Sequence, residues 1–324
     1  MVAVLPAVRK TRVLTPSSLA CLAHMPTVNL TAGCAHGCLY CYTRGYSTYP
    51  GEGKITFYTN TLEKIREELA RKRKMPRAVY FSPSSDLFQP VPQVLELAYE
   101  TLEFLLQRAI GVAFLTKGRI PERHMALLEA NASQVRAQLG LTTLDSRLTE
   151  AFEPHAAPPA VRLEQVGRLA RAGIRTQVRL DPILPGLTDD AGTIRSVCAA
   201  VADAGVPQIA ASALFLRPGI LHSLRRHLDG DPMLDALLRQ FRPGGRLGIH
   251  AGESSVIALP TETRRALYER VTQIASELGL RVRLCACKNP DLATGSCSIA
   301  GDWATERTGP TQLDLFPSEE GDSK

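Results

Sequence analysis

Apolar positions along this chain recur with two periods that take turns. Short apolar runs bounded by turn residues read as strands: PTVNLT at 26–31, RAVYFSPSS at 77–85, GVAFLTKG at 111–118, VRAQLGLTTL at 135–144, IRTQVRLDPILPG at 174–186 and PQIAASALFL at 207–216. Between them lie stretches with apolar residues three and four apart. NTLEKIREELARKRK at 60–74 puts Leu62, Ile65 and Leu69 on one helical face. QVLELAYETLEFLLQRA at 93–109, RHMALLEAN at 123–131, AVRLEQVGRLARAG at 160–173 and AGTIRSVCAAVADAG at 191–205 follow the same period. Gly173 stands where a helix-ending glycine belongs. Strands joined through helices must pair in parallel, because the crossover returns the chain to the same end of the sheet. About six such units are present, short of the eight of a closed barrel. The prediction is an α/β chain built as a partial (β/α)6 TIM-type barrel.

The pattern changes on either side of that repeat. Residues 1–25 read as a tail-like N-terminal segment and 26–217 as the barrel. Residues 218–303 form a C-terminal extension, with LHSLRRHLDGDPMLDALLRQF at 221–241 as a polar helical stretch, RLGIHAG at 246–252, a helix over 261–278, and the strand RVRLCACK at 281–288. Residues 304–324, polar and rich in proline and glycine, predict a disordered tail.

With 324 residues, 44% hydrophobic and 22% charged, the chain can bury a full core. No apolar run approaches the roughly 20 residues of a membrane-spanning helix. The first residues, MVAVLPAVRKTRVLTP, lack a signal-peptide layout, so the expected location is cytoplasmic. Eight clustered cysteines in such a chain suggest metal before disulfides. The net charge of +6 is compatible with a polyanionic partner.

The densest chemistry lies in NLTAGCAHGCLYCYTRGY at 29–46, where Cys34, Cys38 and Cys41 are spaced C-x3-C-x2-C. Structural zinc wants four ligands, and an iron–sulfur cluster with four cysteines leaves no iron open. Three thiolates on a 4Fe–4S cluster leave one iron for another ligand. This motif, with an aromatic residue before its last cysteine, resembles that of the radical S-adenosylmethionine (SAM) superfamily. Within it, Tyr40–Cys41–Tyr42 and the segments YFSPSSDLFQP, FLTKGRIPER, EPHAAPPAVRLEQVGRLARAGI and RLDPILPGLTD look most like spore photoproduct lyase and its relatives. The resemblance implies a 4Fe–4S cluster on Cys34, Cys38 and Cys41, SAM on its open iron, and a 5′-deoxyadenosyl radical that abstracts hydrogen. It also implies an electron donor such as flavodoxin or ferredoxin. One departure stands out. Where the lyases carry a hydrogen-returning cysteine, this chain has Pro83, so a lyase in the strict sense is not expected, and Tyr40 or Tyr42 becomes the candidate catalytic relay.

Barrel sites lie at strand carboxyl ends. That rule nominates Ser84, Ser85 and Asp86, then Lys117, Thr142 and Thr143, then Arg179 and Asp181. By the resemblance the SPSSD segment meets the SAM amino group, and Arg179 suits the SAM carboxylate through paired hydrogen bonds. His36 and the other histidines read as loop residues rather than ligands.

Two further features extend the reading. CACKNPDLATGSC places Cys285, Cys287 and Cys297 as C-x-C-x9-C, a candidate second iron–sulfur cluster or zinc site, with Cys21, Cys198 or His250 as a candidate fourth ligand. Cys198, inside an apolar helical pattern, reads better as core. In the tail, Gln312, Leu313, Asp314, Leu315 and Phe316 resemble the short motif that docks bacterial repair proteins on the sliding clamp. ARKRKMPR at 70–77 and LRRH at 224–227 are basic, the first placed where a helix end favours cations anyway. The expected function is radical repair or modification of a DNA base. The alternatives are a radical SAM enzyme acting on RNA or a peptide, and a non-catalytic iron–sulfur adaptor at the replisome.

Overall fold

A computed structural model describes residues 2–17, 20–23, 25–249, 254–293, 301 and 303. Strand β1 (Ala3–Ala7) opens the chain, followed by β2 (Thr15–Pro16), β3 (Pro26–Val28), β4 (Thr31–Ala32) and β5 (Lys54–Tyr58). Helix α1 (Thr61–Ala70) leads to β6 (Ala78–Phe81), α2 (Pro92–Leu106), β7 (Gly111–Thr116), α3 (Glu122–Ala130) and β8 (Val135–Gly140). Then come α4 (Ser146–Phe152), α5 (Pro159–Arg171), β9 (Arg175–Ile183), α6 (Ala191–Asp203) and β10 (Gln208–Ala213). The remainder is α7 (Pro218–His227), α8 (Pro232–Gln240), β11 (Gly245–Ile249), β12 (Ser254–Ala258), α9 (Thr261–Glu277) and β13 (Arg281–Leu284).

The main sheet has the order β13-β10-β9-β8-β7-β6-β3-β2. From β3 to β10 it contains the six expected parallel strands, and β13 joins β10 in parallel as a seventh. The C-terminal strand therefore completes the barrel sheet. Three expectations are corrected. The first residues form β1, paired in parallel with β5, where a tail was expected. Neither β5 nor β12 was anticipated. The long helical stretch at 221–241 divides into α7 and α8, because Gly230 turns at φ +74° and Pro232 starts a new helix capped by Asp231.

Alternation along the strands separates two layers. Val135, Ala137 and Leu139 of β8 and Val178 and Leu180 of β9 join the apolar layer under the helices. The intervening residues face the lumen in register: Arg136 beside Arg175, Gln138 beside Gln177, Gly140 beside Arg179. The lumen is thus polar, with Arg136, Gln138, Gln177 and Arg179 all buried. Trp303 closes the amino-terminal end of the strands. It packs so near Gly111 that a Cβ there would stand 2.3 Å from its ring, and the Arg136 guanidinium lies 4.4 Å from its ring centroid. Among the described residues no helix is long and apolar enough to cross a membrane.

Candidate active site at the carboxyl ends of the strands

The cysteine loop leaves β4 through Gly33 at φ +77°, where a Cβ would lie 2.9 Å from both the Lys54 carbonyl oxygen and Pro50 Cγ. Only glycine fits there. Neighbouring elements then fix the loop. The Ala35 N–H donates to Gln89 Oε1 at 2.9 Å and the Leu39 N–H to the Phe152 carbonyl at 2.9 Å. Arg44 donates to the carbonyls of Gly37 and Cys38, at 3.1 and 3.3 Å. His36, expected to be an ordinary loop residue, is buried inside: Nδ1 lies 3.0 Å from the His155 carbonyl and Nε2 lies 3.2 Å from Asp86.

Cys34, Cys38 and Cys41 are half-buried and form no disulfide. Burial pushes the Cys34 and Cys38 thiols up, and the carboxylates of Asp86 beside Cys34 and Glu153 beside Cys38 push them further. Thiols so placed ionise when a metal cation replaces the proton. Among the described residues no three His, Cys, Asp or Glu side chains converge as a single bound ion would require. A 4Fe–4S cluster takes one thiolate on each of several irons, so three coupled but separate thiols suit it.

Two buried carboxylates organise the surroundings. Asp86 accepts from the N–H of Phe88 at 2.8 Å, from the Thr116 hydroxyl at 2.7 Å and from the Lys117 N–H at 2.9 Å. Burial pushes its carboxyl up, but His36 and these donors outweigh it and hold it below the usual range. Glu153 follows α4. It accepts from the hydroxyls of Tyr40 and, at 2.9 Å, Thr142; Lys117 Nζ lies 3.0 Å away, and Arg162 binds its other oxygen. Burial alone would raise this carboxyl, yet Lys117 and Arg162 bring it to about 2. Gly140 leaves room for the lysine, since a Cβ there would lie 2.6 Å from Nζ.

Between these two hubs the chain turns sharply. Ser82 sits at φ +55°, a left-handed conformation rare for serine, and its N–H donates to the Val28 carbonyl at 2.7 Å. The turn directs Ser84 and Ser85 toward the cysteine loop. Ser85 Oγ donates to the Gly33 carbonyl at 2.9 Å and accepts from Gln89 at 3.1 Å, while the Ser84 N–H is held by Asn29 at 3.0 Å. Tyr42 donates its hydroxyl to the Pro83 carbonyl. Across the mouth, Asp181 bonds Arg179 at 3.0 Å and Lys288 at 2.7 and 2.8 Å, and its carboxyl is lowered to about 2 because these cations outweigh burial.

The nominated residues thus assemble at one end of the barrel, but several are already occupied. Ser85, Asp86, Lys117, Thr142, Arg179 and Asp181 are engaged with protein partners. The sequence reading missed Glu153, His36, Gln89, Arg162 and Lys288. Glu153 begins the EPHAAPP segment, and nothing local in the sequence marks it as the partner of Tyr40, 113 residues away. The second cysteine group is different. Cys285 is buried against Ala210 together with Cys287, while Cys297 lies outside the described residues, as do His250 and Gln312 to Phe316.

A cysteine-bearing loop thus stands at the mouth of a partial α/β barrel with a polar lumen. The profile of the radical SAM superfamily matches residues 28–197, and the chain belongs to that superfamily. Membership implies a 4Fe–4S cluster and SAM. The chain is 29% identical over 155 residues to a radical SAM Nalpha-GlyT isomerase of Pseudomonas phage M6, covering 48% of this chain and 32% of the phage protein. It is 27% identical over 200 residues to an uncharacterised protein of Mycobacterium tuberculosis, covering 59% of each. The chain therefore spans less than two thirds of these relatives. In fold it is similar to spore photoproduct lyase, with a TM-score of 0.67 at 14% identity over 86% of this chain and 81% of a lyase variant bound to AdoMet and a dinucleoside spore photoproduct.

Proposed function

We propose that this chain is a radical SAM enzyme that repairs or modifies a base in DNA. The observation that carries the reading is a cysteine loop clamped at the mouth of a polar lumen, on the fold of a lyase whose structure holds a dinucleoside photoproduct. Cys34, Cys38 and Cys41 would hold the cluster, with Ser84, Ser85 and Arg179 toward SAM. When bound, the cluster and SAM supply a 5′-deoxyadenosyl radical, an agent that abstracts hydrogen. The rest falls to the chain. The Asp86–His36 contact keeps the loop fixed from inside, and Glu153 orients Tyr40. Tyr42, whose hydroxyl reaches the carbonyl of Pro83, is the proposed donor of a hydrogen atom to the substrate radical, and the tyrosyl radical left behind would be restored by a proton and an electron from the flavodoxin- or ferredoxin-type donor. Gln312, Leu313, Asp314, Leu315 and Phe316 would bring the enzyme to DNA by docking on a sliding clamp.

The test is 5′-deoxyadenosine formation by anaerobically reconstituted, reduced protein with SAM and with ultraviolet-damaged DNA, undamaged DNA or RNA. Stimulation by DNA is expected. Stimulation by RNA or peptide alone would move the assignment to those substrates, and no 5′-deoxyadenosine at all would favour a non-catalytic adaptor.

A further inference from the structure

A cleft of about 420 Å³ opens beside the cysteine loop, between the segment that follows β1, the carboxyl end of β5 and the residues after Cys41. Arg9 and Lys10 supply its charge, and Tyr46, Tyr49 and Tyr58 its aromatic surfaces; Ser84 borders both the cleft and the site described above. Arg9 is held in place: its N–H donates to Asn60 Oδ1 at 2.9 Å, its Nη2 donates to the Asn29 carbonyl at 3.0 Å, and its guanidinium lies 3.9 Å from the Tyr58 centroid. Glu68, whose charge reaches Arg9, accepts instead from the N–H groups of Val13 and Leu14, at 2.6 and 3.1 Å. Among the described residues neither Arg9 nor Lys10 is within ion-pair distance of a carboxylate. Tyr46 is 42% exposed, and its ring meets that of Tyr42 at 70° with the centroids 5.7 Å apart.

Two cations outside any ion pair among the described residues, set beside the exposed Tyr46 ring in a space of this size, match the phosphate and base of one nucleotide. We propose that the cleft binds the nucleotide flanking the reacting base of a nucleic-acid strand, its phosphate on Arg9 and Lys10 and its base on Tyr46. The proposal rests on the nucleic-acid reading of the function and adds where the strand enters. Ordering of the pinned arginine is already complete before the strand arrives, so little conformational entropy is lost there on binding.

The experiment is fluorescence anisotropy of a labelled single-stranded oligonucleotide with the reconstituted full chain, across a salt series. Arg9→Gln and Lys10→Gln together should weaken binding about tenfold and reduce the log–log salt slope by about 0.7, the share of one phosphate on a single strand. Arg9→Lys should restore the slope, and Tyr46→Leu should weaken binding at least about fivefold with the slope unchanged. Lys10→Gln alone alters only an exposed side chain, so it keeps the test valid if the Arg9 variant folds poorly. Unchanged affinity and slope in all variants would overturn the proposal and leave the DNA-base reading standing. SAM affinity, measured by calorimetry, should stay within about twofold; its loss with oligonucleotide binding intact would assign the cleft to the cofactor and overturn the proposal. A wild-type protein that binds RNA but not DNA, with the same dependence on Arg9, would support the cleft and sink the DNA assignment.

Discussion

The chain carries two cysteine groups, and their surroundings differ more than their spacing does. Around Cys34, Cys38 and Cys41 the backbone is bonded to Gln89, Phe152 and Arg44, and two buried carboxylates stand behind the thiols, Asp86 beside His36 and Glu153 beside Lys117 and Arg162. Cys285 packs against Ala210 just after the last sheet strand with Cys287 beside it; its carbonyl accepts from the N–H groups of Lys288 and Asn289, buried Asn289 is bonded in turn to Arg264 and Tyr268, and Lys288 pairs with Asp181. The difference lies in where the charge stands: carboxylates lie directly beside the first thiols, whereas the polar contacts of the second group hold its backbone, and only two of its three cysteines are among the described residues. Motif spacing carries only part of that information.

The largest effect should come from breaking the first group. Replacing Cys34, Cys38 and Cys41 together with alanine should reduce both cluster iron and 5′-deoxyadenosine formation to background. Cys285→Ser with Cys287→Ser should retain most of both. Iron and zinc analysis of the two variants decides: stoichiometric metal remaining in the first would break the comparison and restore a second metal site.

Next comes the scaffold. Glu153→Gln leaves Arg162 and Lys117 without their buried counter-charge, which should cost about 3–5 kcal/mol. Adding Arg162→Met should recover part of that loss. Urea unfolding followed through Trp303, the only tryptophan of the chain, measures both. If Glu153→Gln cost under about 1 kcal/mol, the carboxylate hub would not be what holds the loop.

The second region has a weaker counterpart in Asp181. Its carboxyl falls from 3.8 to about 2 in the folded state, so between those values the unfolded chain binds more protons than the native one. The stabilisation is complete above about pH 4 and is lost as pH falls through about 2, an effect of roughly 2 kcal/mol. Asp181→Asn should flatten the stability curve in that acid window and leave its shape above pH 5 unaltered. A curve identical to the wild type would show that Lys288 does not tether the last strand.

Legibility in the sequence followed the same division. Six parallel strands and their helices were readable because period-two and period-3.6 patterns are local properties of a buried strand and an amphipathic helix. Strand β5, KITFY, lies in a glycine- and proline-rich stretch, and β1 contains a proline, so both look like loop until each finds the other. The grouping of Cys34, Cys38 and Cys41 was readable from their spacing, and their assignment to a cluster came from the resemblance of that motif to the radical SAM superfamily. Glu153 and His36 were not, since their roles come from meeting Tyr40 and Asp86 across 113 and 50 residues of chain, a tertiary event no local pattern records. Lys288 reached Asp181 only because β13 pairs with β10.

The smallest effect concerns a third kind of cysteine. Cys198 is fully buried in α6 among apolar neighbours, and burial pushes its thiol up to about 11, with Arg195 opposing the rise. A thiol there is a small apolar group, so Cys198→Ala should cost about 1 kcal/mol for the sulfur's missing packing. Cys198→Ser keeps the volume but buries a hydroxyl in that apolar layer, and should cost about 1 kcal/mol more than alanine if the hydroxyl finds no acceptor. The order of the two substitutions is therefore diagnostic: alanine milder than serine marks a packing thiol. At Cys34, Cys38 or Cys41 both should remove the cluster alike, because neither offers a thiolate. Paired alanine and serine variants at Cys285, read by urea unfolding and iron content, place that residue on one side or the other. Alanine milder with iron unchanged groups it with Cys198, whereas equal loss of metal in both would move it to the cluster class and undo the contrast between the two regions.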